Sequence, residues 1–183
     1  MTNQIGHNNG PAFDAGLSWR KHVWTKARAD LLPRLPIEVL RQRVKRAQEL
    51  GLPYKTYASV RASTGRDVIG FLFSSNALRV LRAGQSIPAD RTARLVALDN
   101  THRHALSHVG PIISVGLDGW NTAPKPFATW PQMAADVGAI IRQHRLPRDG
   151  VLVIGETSDE RLWAEAAKTA GFLGGDRYFT QQP

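Results

Sequence analysis

The sequence predicts a mixed α/β fold: a basic helical N-terminal region, then a small, mostly parallel α/β unit of about three to five strands. Three observations lead there. Short apolar runs rich in β-branched and aromatic residues, such as Asp67–Phe73 and Val151–Ile154, alternate with helix-length amphipathic stretches. A strand–helix–strand–helix order builds a parallel sheet with right-handed crossovers. Charge is also uneven. Residues 1–66 hold 12 Lys/Arg against 4 Asp/Glu, whereas residues 67–183 hold 12 against 11.

The N-terminal segment, residues 1–12, is polar and aperiodic and reads as a flexible arm. It lacks the basic and apolar regions of a signal peptide. A basic helical region follows over residues 13–64. Ser18 caps a helix to about Leu32, with Trp19, Val23, Ala27 and Leu31 at helical spacing. Both Trp19 and Trp24 read as packing residues. Pro33 and Pro36 break the chain, and Pro36 opens the next helix, whose stripe is Ile37, Leu40, Val44 and Ala47. A second helix runs from about Tyr54 to Ser63 and ends at Thr64–Gly65.

The α/β unit, residues 67–183, opens with the strand at Asp67–Phe73. Ser74, Ser75 and Asn76 then cap a short helix to Arg82, stopped by Gly84. From Pro88 to His108 the residues Leu95, Leu98, His102, Ala105 and Val109 keep helical phase, so a helix is favoured there over a strand. Ile112–Leu117 reads as a strand and Asp118–Asn121 as a turn. Thr129 caps an amphipathic helix with Trp130, Met133, Val137, Ile140, Ile141 and His144 on one face. Val151–Ile154 is a buried strand, Ser158 caps the last long helix, and Gly171–Gly175 is a turn before an edge strand at Tyr178–Thr180.

Composition narrows the functional classes. The 183 residues are 42% apolar, enough for a true core. The chain has no cysteine, which removes disulfides and thiolate metal sites. No stretch reaches the ~18 apolar residues of a membrane span, so a cytoplasmic protein is expected. The basic excess implies a polyanionic partner.

Between Ala47 and Arg61, a small residue (Ala47) stands four before Gly51, Leu50 and Leu52 flank that glycine, and Tyr57 and Val60 follow at the spacing of a buried helix face. Two helices that cross steeply need such a contact and a glycine able to take positive φ. Residues 43–62 resemble the helix-turn-helix of DNA-binding proteins. That resemblance implies a nucleic-acid interface, most simply with duplex DNA. Arg41, Arg43, Lys45 and Arg46 would contact phosphate, and Lys55, Thr56, Ser59 and Arg61 would read bases from the second helix.

Two further groups carry potential chemistry. Asp118 follows one predicted strand, and Glu156 and Asp159 follow another, so the three acids converge if those strands are neighbours. Asp118–Asn121 and Gly155–Asp159 are similar in outline to the strand-end acids of PIN-like and NYN-like nucleases. That likeness implies Mg²⁺ or Mn²⁺ at a phosphodiester. His102, His104 and His108 form the second group, with His104 and His108 one helical turn apart. The stretch also resembles the His-x-His-x-Asp-His segment of metallo-β-lactamase-like hydrolases, without its aspartate. A solvated or capping role is expected for these histidines, and no metal.

The leading expectation is a nucleic-acid-binding protein, regulatory or associated with a mobile element, with the α/β unit serving as scaffold, homodimer surface or ligand pocket. The alternatives are a metal-dependent phosphoesterase using Asp118, Glu156 and Asp159, and an adaptor for an acidic protein partner.

Overall fold

A computed structural model describes residues 35–180. The expected arm and the Ser18–Leu32 helix, with Trp19 and Trp24, lie outside that range. The chain divides into two compact units, Met1–Leu40 and Arg41–Pro183. In the first unit the described residues, 35–40, open helix α1, which spans Ile37–Glu49. The second unit completes α1. It then adds α2 (Tyr54–Thr64), β1 (Gly70–Ser74), α3 (Ala89–Val96), β2 (His102–Ser107), β3 (Gly119–Thr122), α4 (Trp130–Gln143), β4 (Val151–Gly155), α5 (Ser158–Ala167), β5 (Gly171–Gly174) and α6 (Gly175–Thr180). None of these helices is long and apolar enough to cross a membrane.

The five strands form one parallel sheet in the order β3-β2-β1-β4-β5. The sheet is covered on both faces, so its central strands read as continuous apolar runs rather than as alternating ones. All five residues of β1 and of β4 are buried. Alternation reappears in the packing. Phe71, Phe73, Leu152 and Ile154 face one layer, with Ala47, Leu50, Leu52 and Tyr57 of the helical hairpin, Leu95 of α3 and Tyr178 of α6. Leu72, Val151 and Val153 face the other, with Val137 and Ile141 of α4 and Trp163 and Ala167 of α5.

The hairpin closes as the glycine pattern predicts. Gly51 takes φ +62°, and a Cβ there would lie 3.1 Å from Arg94 Nε. Gly65 ends α2 in the left-handed region at φ +72°. Thr129 caps helix α4, and its amide donates to Gln132 Oε1 at 2.9 Å. The cap of α5 is Thr157, one residue before the expected Ser158. Its Oγ1 accepts from the Glu160 amide, and Glu160 Oε2 accepts from the Thr157 amide.

Four local expectations are corrected. The stretch Pro88–His108 is not one helix: α3 stops at Val96, Asn100 turns the chain at φ +49°, and β2 pairs with β1. Ladder pairing in a buried sheet outweighs the weak helical phase. The expected short helix to Arg82 does not form. Ser74 Oγ accepts from the Ala77 amide, and Arg79 at φ +57° turns the chain away. The residues 112–117 are a loop around Gly116, where a Cβ would lie 2.9 Å from the Val96 amide nitrogen, and the strand is displaced to Gly119–Thr122. At the C-terminus the glycine-rich segment is itself strand β5, and Tyr178–Thr180 belong to α6.

Candidate functional site

Three places in the molecule bear on function. The first is the outward side of the hairpin. Lys45 is 80% exposed, in a loose 4.0 Å contact with Glu49. Arg41, Lys55 and Ser59 are exposed, and Arg43 and Thr56 are half-buried. Lys55 and Ser59 stand one helical turn apart on α2. The N-terminus of α2 has neither a side-chain cap nor an acid in its first turn, so its dipole favours an anion. Arg61 is drawn toward Asp67, 3.8 Å away. Arg46, which the sequence grouped with the phosphate contacts, turns inward. It donates to Asp67 Oδ2 and Glu49 Oε2, both at 2.9 Å, and to the carbonyls of Val68, Asp99 and Asn100.

The second place lies beyond the carboxyl ends of the strands. Neighbours β1 and β4 lead away in opposite directions, the topology that leaves a crevice in open α/β sheets. A cavity of about 630 Å³ opens there, bordered by Asn76, His108, Lys125, Phe127, Asp159 and Trp163. The fully buried Glu160 carboxylate beneath it is consumed by structure, accepting from Asn76 Nδ2 and from the Glu156 and Thr157 amides. Glu156 Oε1 accepts from the Asp176 amide at 2.8 Å. Burial, with the nearby Asp176, raises the Glu156 carboxyl above its ordinary value.

The structure does not bring the three sequence-predicted acids together. Asp118 precedes β3, at the amino edge of the sheet. Its Oδ2 accepts from the Arg103 amide at 2.7 Å, beside the start of β2. Glu156 and Asp159 follow β4 at the opposite edge. Strands β2 and β1 also stand between β3 and β4. The alternative reading, an Mg²⁺ or Mn²⁺ site on these three acids, required neighbouring strands, and β3 and β4 are not neighbours.

The third place is at that amino edge. His102 and His104 alternate on β2, so they share the face covered by α4, and His144 caps the C-terminus of that helix. The ring centroids of His102 and His104 lie 4.4 and 4.5 Å from that of His144. Each residue offers a ring nitrogen, and these nitrogens all lie within 4.8 Å of one another. His104 is 2% exposed. Its Nε2 is 2.6 Å from Asn121 Oδ1. His102 Nδ1 is 3.3 Å from Asp118 Oδ2. The remaining nitrogens, His102 Nε2, His104 Nδ1 and His144 Nε2, are buried without a hydrogen-bond partner. Burial lowers the pKa of both His102 and His104, assisted in each by the charge of His144. The helix that would have set His104 and His108 one turn apart is not formed, and His104 is buried rather than solvated. His108 follows β2 at the other edge of the sheet, 5.3 Å from the Trp163 ring.

In the sequence His144 reads as part of the apolar face of its helix, with no link to His102. The signal that points there is His-x-His, which on a strand puts both rings on one face.

Comparison with protein-family models, with curated proteins and with solved structures gives no match in any of the three.

Proposed function

We propose that this chain binds nucleic acid through the outward face of its helical hairpin, with duplex DNA the preferred form. The observation that carries this reading is the second helix. Its N-terminus is uncapped and free of acids, Lys55 stands in its first turn, and Ser59 follows on the same side. Backbone amides at a helix start bind phosphate, and short polar side chains beside them reach base edges. Lys45 and Arg41 extend the positive surface along α1. Arg46 is left out of the interface because its donors are engaged inside the protein. A role in regulation or in a mobile element is the biological setting such a surface suits.

The test is fluorescence anisotropy on a short labelled duplex at ~50 and ~200 mM salt. With three phosphate contacts, from Lys55, Lys45 and Arg41, the fourfold rise in salt weakens binding by roughly 40-fold. A Lys45→Ala/Lys55→Ala double variant should lower the salt slope by about 2. Absent binding at the lower salt, or a slope unchanged in the double variant, would remove the hairpin from consideration. An acidic protein would then be the partner to test.

A further inference from the structure

We propose that His102, His104 and His144 form a binding site for one divalent transition-metal ion, and that zinc is the ion the donors suit best. Each of the three residues has one buried imidazole nitrogen without a partner, and each offers a ring nitrogen within 4.8 Å of those of the other two. Buried polar atoms in folded proteins are paired, and each exception calls for an explanation. A single cation accepting all three lone pairs satisfies them together.

The surroundings prepare these atoms for that role. Asn121 Oδ1 is an acceptor, so the His104 Nε2 facing it carries the proton and Nδ1 keeps its lone pair. Asp118 stands against His102 Nδ1 in the same sense and leaves Nε2 to the cluster. A carboxylate or carbonyl behind a ligating imidazole is the usual outer shell of a metal site, orienting the ring and raising its basicity.

Space has been left as well. A Cβ on Gly119 would come within 3.0 Å of His104 Cε1 and 3.3 Å of Nδ1. The glycine thus keeps the strand next to β2 clear of the donor atom. Two ligands come from one strand of a buried sheet and the third from the end of a packed helix, so the backbone positions are rigid. Around zinc, with bonds of about 2.1 Å, tetrahedral nitrogens stand roughly 3.4 Å apart, and the ring nitrogens offered here lie within 4.8 Å of one another, so the rings must turn to close on the ion. An all-imidazole set favours zinc and its neighbours over the oxygen-seeking Mg²⁺ and Ca²⁺. Three protein ligands leave the fourth tetrahedral position to water or an anion.

Calorimetric titration of the chelator-stripped full chain with Zn²⁺ alone tests the assignment. One ion per chain is expected, bound at micromolar concentration or tighter. His144→Ala should weaken binding at least tenfold, and His108→Ala should leave it unchanged. His144 is half-buried at a helix end, and its circular dichroism should match wild type. Should that variant lose structure instead, Co²⁺ loading of the wild type decides: strong visible absorption of a tetrahedral ion supports the site, and the weak bands of a six-coordinate ion overturn it. The proposal also fails if the wild type takes up no Zn²⁺ at about 100 μM, or if folded His144→Ala binds as tightly as the wild type.

Discussion

Arg46→Ala separates a residue that holds the fold from one that holds a ligand. The Arg46 side chain is 16% exposed, and its guanidinium makes two hydrogen bonds to carboxylates and three to carbonyls. It ties α1 to the segments that lead into β1 and β2. Bonds to charged groups contribute about 1.5–3 kcal/mol each in isolation, but they do not add, and water replaces the more exposed ones. A loss of about 3 kcal/mol for Arg46→Ala is therefore expected. Arg46→Lys should lose about half as much, because an ammonium keeps the charge but not the planar five-donor fork. For a domain of this size, 3 kcal/mol lowers Tm by roughly 6–12 °C. Urea unfolding of wild type and both variants measures the difference, with Lys55→Ala, expected to stay within about 0.5 kcal/mol, as the surface reference. The reasoning is refuted if Arg46→Ala unfolds within about 0.5 kcal/mol of wild type. It is refuted more pointedly if stability holds while duplex binding falls, since Arg46 would then be facing phosphate.

Two other outcomes follow from buried or paired acids. Glu160→Ala strands two backbone amides and the Asn76 amide, so a loss of about 3–5 kcal/mol is expected by urea unfolding, and Glu160→Gln, which keeps the shape and part of the acceptor capacity, should lose less. The Arg79 and then the Arg91 guanidinium hold the Asp176 carboxyl below its ordinary value. Stability from that pairing is present above the ordinary carboxylate pKa and is lost as pH falls through the lowered one. Asp176→Asn should therefore flatten the acid limb of a Tm-versus-pH profile between pH ~5 and ~2, and an unchanged limb would show that the pairing contributes nothing.

The elements legible in the sequence were those whose signals are local. The runs at β1 and β4, the Thr129 helix and the Gly51 hairpin all carry their pattern within about a dozen residues. What stayed hidden depended on partners distant in the chain. Strand β2, His-Arg-His-Ala-Leu-Ser, has a polar first half and becomes a strand through its ladder with β1. Strand β5, Gly-Phe-Leu-Gly, looks like a turn until β4 pairs with it. The histidine cluster joins β2 to the end of a helix some 40 residues later, and no spacing rule spans that interval. Arg46 shows the same limit. Its charge suggested a solvent-facing role, and only the folded positions of Asp67 and Asn100 turn it inward.

Tyr178 lies on the hairpin side of the sheet, its ring 5.5 Å from Phe71 and 5.7 Å from Phe73, and its hydroxyl donates to the carbonyl of Leu50. The last turn of the described chain thus closes a core that one of its earliest helices opens, across 128 residues. A ribosome making this protein releases the hairpin and β1 long before Tyr178 exists. Until Tyr178 emerges, both phenylalanines of β1 lack its ring, and the hairpin and α3 cover that side alone. Such long-range closure slows folding and lengthens the interval in which a nascent chain is open to aggregation.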